Sequence, residues 1–559
     1  MISLRGCFIC TVGLLVVEFA FGDLSNAPVE CLKPFCLCQK KSSGSAVCSG
    51  RSLHYIPRLP KYVRSVAFTN TSISFIDNFG LFNLTFNQME RINFTGNLLL
   101  SIDKHAFRNL TFLDTLIISR EPRLDLNSLK SSFMSLTRLK ILVLYFKFNI
   151  WESLPKDMFN IYHFSKVKFL FLEGNIFTFV NFTTFGTMTR LQGISLADNA
   201  ISHISFTKLT SLTKLDMSSN LLPKVPNFCR RNNTSYFPNL ETLTLSHNNI
   251  GFLGPKSFRC LPRLSTLNLD YTKIGKLQDN VFAFLPSLQK LHLHSIGNPL
   301  KSIKQNAFNS SSLETLDLKG SNFHFNMKQR YDANKIFASC SNLKELDLTE
   351  NNMPSDDLTF RTIFRPLRKL QKLYLTKTKM LNLPTNVFTN MKLLQTLHLN
   401  ENGITDWNDS CRIFGNMTSL KYLSLRHNRI SVINETSFPD NFLSRLEKLK
   451  LARNPFSCIC DQMWFRNWIQ KNGSILMEFP KEYRCGNPNN MRGILLKDYK
   501  PTAKSAIHGI LCIQWQLSWE LFLYRSSLLV LSLQSVRAIS RTTYIYYVYI
   551  TAGNRDISS

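Results

Sequence analysis

Leu394-Gln395-Thr396-Leu397-His398-Leu399-Asn400-Glu401-Asn402 is the stretch that decides the fold. It reads L-x-x-L-x-L-x-x-N, the strand segment of a leucine-rich repeat. Copies begin at Val63, Met89, Leu113, Leu139, Val167, Leu191, Leu212, Leu240, Leu264, Leu288, Leu313, Leu343, Leu370, Leu394, Leu420 and Leu446, sixteen in all and 21 to 30 residues apart. Leu397-His398-Leu399 alternates with period two, as a half-buried strand must. Asn402 closes it, and Asn97, Asn175, Asn199, Asn220, Asn248, Asn351, Asn428 and Asn454 hold the equivalent place. An asparagine side chain there can bond turning backbone, so these residues are expected to stack as a ladder.

Between strands each repeat returns with a second apolar anchor, such as Ala106-Phe107, Phe159, Phe258, Ala307-Phe308 or Phe388, which accounts for part of the 44 phenylalanines. No single repeat can bury its apolar side alone, so neighbours must stack into one continuous core. The expected fold is α/β: a leucine-rich-repeat solenoid, or horseshoe, with a parallel concave sheet and disulfide-bonded caps at both ends.

The expected organisation is a signal peptide over 1–22, a cysteine-rich cap over 31–62, repeats over 63–454, a second cap over 455–512 and an atypical tail over 513–559. Arg5 followed by apolar Cys7 to Val17, with Ala20 and Gly22 after it, fits a secretory signal. A membrane anchor fits less well, because the run is short and Glu18 interrupts it. Cys31, Cys36, Cys38 and Cys48 then imply two disulfides, with three pairings open. Cys458, Cys460, Cys485 and Cys512 do the same at the other end, where Trp464, Phe465, Trp468 and Ile469 share one face of a predicted helix. Covering the exposed core at each end is the physical need. Within the repeats Cys229 and Cys260 could pair, whereas Cys340 reads as a buried thiol, and Cys340 and Cys411 lie too far apart to bridge.

Sequons begin at Asn70, Asn83, Asn93, Asn109, Asn181, Asn232, Asn233, Asn309, Asn408, Asn416, Asn434 and Asn472. Asn93 lies on a strand face, where a glycan would obstruct the concave side. The formal charge is +30. It permits attraction to nucleic acid, acidic polysaccharide or anionic lipid, yet the basic residues are scattered and no aromatic–basic stacking pattern is expected.

One residue per strand stands between the last two apolar positions. Reading these down the repeats gives a column that includes Ile117, Val143, Phe171, His292, Asp317, Asp347, Tyr374 and His398. Ile117, Val143 and Phe171 are apolar where water-facing residues are expected, so they form either a ligand patch or strands packed under their neighbours. Those eight residues are the candidate ligand surface. His247, His292, His294, His398 and His427 lie on or beside strands; they are ordinary surface residues or an acid-sensitive set. No carboxylate pair, metal-binding trio or nucleophile–base–acid spacing stands out, so neither an enzyme nor a cofactor is expected. The repeats at Leu139, Leu212 and Leu313 are long, and their extra residues, such as Asn322, Phe323, His324, Phe325, Arg330 and Tyr331, could emerge as binding loops.

Asn454-Pro455-Phe456-Ser457-Cys458-Ile459-Cys460-Asp461, then Trp464-Phe465-Arg466-Asn467-Trp468, Tyr483-Arg484-Cys485 and Arg492-Gly493 resemble the C-terminal cap of a Toll-like receptor ectodomain. Residues 31 to 512 fit such an ectodomain. The resemblance implies an innate immune pattern-recognition receptor that binds a microbial ligand (lipid, protein or nucleic acid), pairs with itself or with other Toll-like receptors, and lies in the secretory pathway, at the cell surface, outside the cell or in the endosomal lumen. The departure from that family is that 47 residues follow Cys512, too few for a TIR domain, so no adaptor contact through one is expected from this chain. Three readings stay open: a soluble or truncated binding ectodomain, a secreted or surface adhesion or matrix protein of the same repeat class that binds host proteins, and a receptor marginally anchored through Leu511 to Leu533.

Overall fold

A computed structural model describes residues 29–500, apart from 33–34, 41–43, 137–142, 298, 326–335, 355, 408, 440 and 460–461. The expected signal peptide, the tail, Leu139, Leu142, Arg330, Tyr331, Asn408, Cys460, Cys512 and the side chain of Cys31 lie outside the described residues. The chain forms two compact units. One holds the chain up to Lys379 with Pro384–His398 and Asn416–Leu420; the other holds Met380–Leu383, Leu399–Gly415 and the chain from Lys421 onward.

In the first unit a short antiparallel set, Val29–Leu32, Cys36–Gln39 and Gly44–Gly50, opens the fold. Cys36 and Cys48 are register partners and are joined by a disulfide, with Cα atoms 4.1 Å apart. Cys38 is disulfide-bonded too. Gly44–Gly50 then pairs in parallel with the first repeat strand, Val63–Thr71. A Cβ on Gly44 would sit 2.2 Å from the Tyr62 carbonyl oxygen, so only glycine allows this approach. Parallel pairing continues strand by strand through Arg91–Thr95, Thr115–Ser119, Val143–Lys147, Phe169–Phe171 and Gly193–Ser195. It then runs through Lys214–Asp216, Thr242–Thr244, Thr266–Asn268, Lys290–His292, Thr315–Asp317, Glu345–Asp347, Lys372–Tyr374 and Thr396–His398.

Alternation settles which side chains go inward. Leu291, Leu316, Leu346, Leu373 and Leu397 are fully buried, and their strand neighbours face solvent. Each such leucine contributes about 1.5–3 kcal/mol. The anchors of the return segments form a second row. Phe258, Phe282, Phe308 and Phe337 stack in succession with ring centres 5.9, 6.2 and 6.0 Å apart.

The asparagine ladder is present. Asn248 Nδ2 donates to the carbonyls of Met217 (2.9 Å), Leu245 (3.0 Å) and Ser246 (3.2 Å), while its Oδ1 accepts from Leu222 N–H at 3.0 Å. Asn199 and Asn220 repeat the pattern. Two members escaped the sequence reading. Asn149 donates to the Ile118 carbonyl at 3.0 Å, and Glu121 stands where an asparagine is expected. Asn149 also corrects the register of its repeat: Leu144 and Phe146 are the inward pair, two residues later than a motif begun at Leu139 implies.

Cys229 and Cys260 form a disulfide between neighbouring return segments, with Cα atoms 5.4 Å apart. The cross-link closes a loop with a sequence separation of 31. Chain entropy alone makes that worth about 3–4 kcal/mol. Cys229→Ser with Cys260→Ser is therefore expected to lower the urea midpoint of this unit without altering far-UV circular dichroism; an unchanged midpoint would refute it. Cys340 is buried, with its thiol pushed up to about 12 by burial, and Cys411 is exposed.

The second unit contains the last repeat strands, Tyr422–Ser424 and Lys448–Lys450, paired in parallel. The helix Met463–Asn472 buries Phe465 and Ile469, leaving Trp464 and Trp468 half-buried beside them. Cys458 and Cys485 are bonded. Tyr483 is buried, accepts from Leu451 N–H at 3.0 Å and donates to the Met477 carbonyl at 3.2 Å. Among the described residues no helix is long and apolar enough to cross a membrane.

Candidate ligand-binding face

Strand pairing turns the predicted column into a physical row within the first unit. Asn93 pairs with Ile117, Ile117 with Tyr145, Tyr145 with Phe171, and Phe171 with Ser195. Ser195 pairs with Asp216; further on, His292, Asp317, Asp347, Tyr374 and His398 are successive partners. Seven of the eight candidate residues thus share one row. Val143 does not. It pairs with Thr115 and Phe169 in the parallel row two residues earlier, and Tyr145 takes its place. The cause is the same register error that Asn149 reveals.

Tyr145 changes the chemistry of the row. Its ring lies parallel to Phe171, with centres 4.5 Å apart and 4° between planes. That spacing is close to the strand separation, so the sheet itself holds the rings at stacking distance. Lys147 Nζ sits 5.3 Å from the Tyr145 ring centre and 4.9 Å from that of Phe171, and 2.5 Å from Glu173. The Tyr145 hydroxyl is raised above its usual pKa, chiefly by burial. This corrects the expectation of no aromatic–basic pattern: one is present across the strands. Strand pairing brings Phe171 beside Tyr145 and Lys147 from more than twenty positions away, which reading along the chain cannot detect.

The stack ends abruptly. The next row position is Ser195, and Gly193 occupies the parallel row beside Phe169. A cavity of about 70 Å³ opens there, lined by Phe169, Phe171, Gly193, Ser195, Lys214 and Asp216 among others. A Cβ on Gly193 would lie 2.8 Å from the Phe169 ring. Ser195 Oγ is buried and has no hydrogen-bond partner among the described residues. Burial raises the Asp216 carboxyl above its usual range, although Ser218 hydrogen-bonds it.

Farther along, Tyr271 is flanked by His247 (ring centres 4.5 Å apart) and His294 (4.8 Å). Asp270 accepts from His294 N–H at 2.7 Å. Desolvation raises the Asp270 carboxyl and lowers the His247 imidazole. Asp317 and Asp347 stand side by side, and Asp347 is raised by burial and by Asp317. Tyr374 and His398 stack at 4.8 Å. The face is thus aromatic and basic in its early repeats, acidic with histidines in its middle. Among the described residues no group of three or more potential metal ligands occurs.

Of the predicted sequons, Asn70, Asn109, Asn232, Asn233, Asn309, Asn416 and Asn472 are exposed, while Asn83, Asn93, Asn181 and Asn434 are half-buried. Asn93 is on the sheet face beside Ile117, as expected.

Two family models match the chain. One, described as Leucine rich repeat, covers 165–222 and 238–295. The other, BspA type Leucine rich repeat region (6 copies), covers 321–444. With the parallel sheet and the ladder, these make the chain a leucine-rich-repeat protein. Within that class it is similar to Toll-like receptor ectodomains. Toll-like receptor 3 of Boselaphus tragocamelus is 29% identical over 246 residues, 38% of this chain and 26% of that receptor. The chain thus spans about a quarter of that relative's length. The crystal structure of a TLR13–ssRNA13 complex superposes with TM-score 0.64 at 24% identity, over 78% of this chain and 60% of that one. The Drosophila Toll–Spatzle complex gives TM-score 0.60 at 17% identity, over 86% and 76%.

Proposed function

We propose that this chain is an innate immune pattern-recognition ectodomain that acts by binding, not catalysis, and that its ligand is single-stranded nucleic acid of microbial origin. The observation that carries the reading is the interrupted stack: two parallel rings with Lys147 alongside both, then a gap of about 70 Å³ walled by Phe171 and Phe169 with Lys214 beyond. A base has a π-face for Phe171, and its phosphates suit the neighbouring lysines. The basic charge of +30 agrees with a polyanionic ligand. The TLR13 complex with single-stranded RNA offers a precedent on the same fold. The working compartment in this reading is extracellular or endosomal, reached by secretion, and the chain pairs with itself or with other Toll-like receptors. The binding face is the same in a soluble form and in a longer receptor.

The test is titration of the purified full chain with a fluorescent single-stranded oligonucleotide at several salt concentrations. Saturable binding that weakens linearly in log affinity against log salt is expected, with a slope of roughly 0.7 per phosphate neutralised. Failure to bind any oligonucleotide, together with saturable binding of host matrix proteins, would replace this reading with the adhesion one.

A further inference from the structure

We propose that Asn181 carries an N-linked glycan whose first N-acetylglucosamine is seated on the Phe179 ring, as a structural part of the fold; this rests on the export reading above. Sequence alone makes every sequon equal, and the structure separates them. Asn83 Nδ2 is engaged with the Ile56 carbonyl (3.0 Å), Asn309 Nδ2 with Asn280 Oδ1 (3.0 Å) and Asn472 Nδ2 with the Trp468 carbonyl (3.2 Å). At Asn181, as at Asn232 and Asn434, it is the oxygen that is used, accepting from Thr183 N–H at 3.1 Å and Thr183 O–H at 2.9 Å. The nitrogen that would bear the sugar makes no hydrogen bond among the described residues.

Phe179 supplies the second, independent observation. It shares the short strand Phe179–Asn181 with the asparagine, and residues two apart on a strand face the same way. Phe179 is 48% exposed, a large apolar ring left in water. Among the described sequons this one alone has an exposed aromatic two residues ahead: Phe68, Phe107 and Phe414 precede Asn70, Asn109 and Asn416 but are buried to 0–1%. Beside the pair lies a groove of about 150 Å³ lined by Ser153, Leu154, Lys156, Phe179, Asn181 and Thr184. A pyranose presents a flat face of polarised C–H groups that suits the electron-rich face of an aromatic ring, and its hydroxyls can meet Ser153 and Thr184. Covering Phe179 also removes apolar surface from water.

The experiment uses the full chain secreted from cells that make only high-mannose glycans. Glycopeptide mass spectrometry is expected to find Asn181 occupied. Endoglycosidase H, which leaves one N-acetylglucosamine, is expected to leave Tm unchanged, whereas Asn181→Gln lowers it. In a Phe179→Ala background Asn181→Gln is expected to lower Tm by less, the remaining loss being that of the two Thr183 hydrogen bonds. An unmodified Asn181 beside other occupied sequons overturns the proposal, as does an equal loss from Asn181→Gln in both backgrounds. A fall in Tm on trimming to a single sugar, with sequons other than Asn181 removed, overturns the seat on Phe179. A chain bare at every sequon overturns the export reading as well, so the two failures are distinguishable.

Discussion

Phe171→Ala is expected to weaken oligonucleotide binding by roughly 5- to 150-fold, the equivalent of one base–aromatic stack at about 1–3 kcal/mol. Phe171 carries the exposed end of the stack, so it alone of the two rings meets the base. Tyr145→Ala should cost less, because Tyr145 acts through Phe171, holding that ring parallel at 4.5 Å. The two substitutions touch one another and are expected to be non-additive, the double variant scarcely exceeding Phe171→Ala. Lys214→Gln offers a second signature: a loss uniform across base sequences and a salt slope shallower by about 0.7 if that lysine meets a phosphate. Ser195→Phe approaches the same claim from the other side. It would place the protein's own ring in the gap, and binding should fail although circular dichroism still reports the repeats. Isothermal titration of the five variants checks all of this. Wild-type affinity in Phe171→Ala would remove the stack from the ligand site.

The architecture was legible because a leucine-rich repeat states its own register: buried leucines at fixed spacing, a polar residue between them and an asparagine to close the turn. Where the asparagine is plain, as at Asn248 or Asn402, position and role both follow from the sequence. The fourth repeat shows how this fails. Leu139, Leu142, Leu144 and Phe146 satisfy the apolar spacing in two frames, and hydrophobicity cannot choose between them. Asn149 can, since only the frame ending there joins the ladder. Taking the wrong frame set Val143 in the row and hid Tyr145, and with it the stack. Gly193 and Lys147 were hidden for another reason. Their roles depend on neighbours one strand away, and single-row reading discards the parallel rows. The pairing of Cys229 with Cys260 was visible as a possibility only, because return segments of unequal length leave the distance undetermined until they pack.

Glu121→Ala is expected to be among the most damaging single substitutions in the chain. Glu121 is fully buried in the ladder row, and its carboxylate accepts from Asn97 N–H at 2.6 Å, Asn97 Nδ2–H at 3.0 Å and Leu99 N–H at 2.9 Å. Alanine would orphan three buried donors at about 1–3 kcal/mol each, a loss of roughly 3–6 kcal/mol with partial rescue by entering water. A domain stable by about 5–15 kcal/mol cannot absorb that quietly, so the early repeats should melt separately or first. The pH dependence gives a sharper test. Burial raises the Glu121 carboxyl, with the hydrogen bonds from Asn97 and Leu99 opposing the rise. The folded state therefore binds its proton more tightly than the unfolded state. By linkage, stability from this group is fully present below the unfolded value of 4.5 and declines as pH rises through the higher folded value. Glu121→Gln removes the titration but keeps one acceptor. Its stability relative to wild type should therefore improve as pH increases across that interval, then level off above it. Urea melts of both proteins from pH 4 upward decide the matter. A constant difference between them would mean that the Glu121 carboxyl binds its proton equally in the folded and unfolded states, the three hydrogen bonds offsetting its burial.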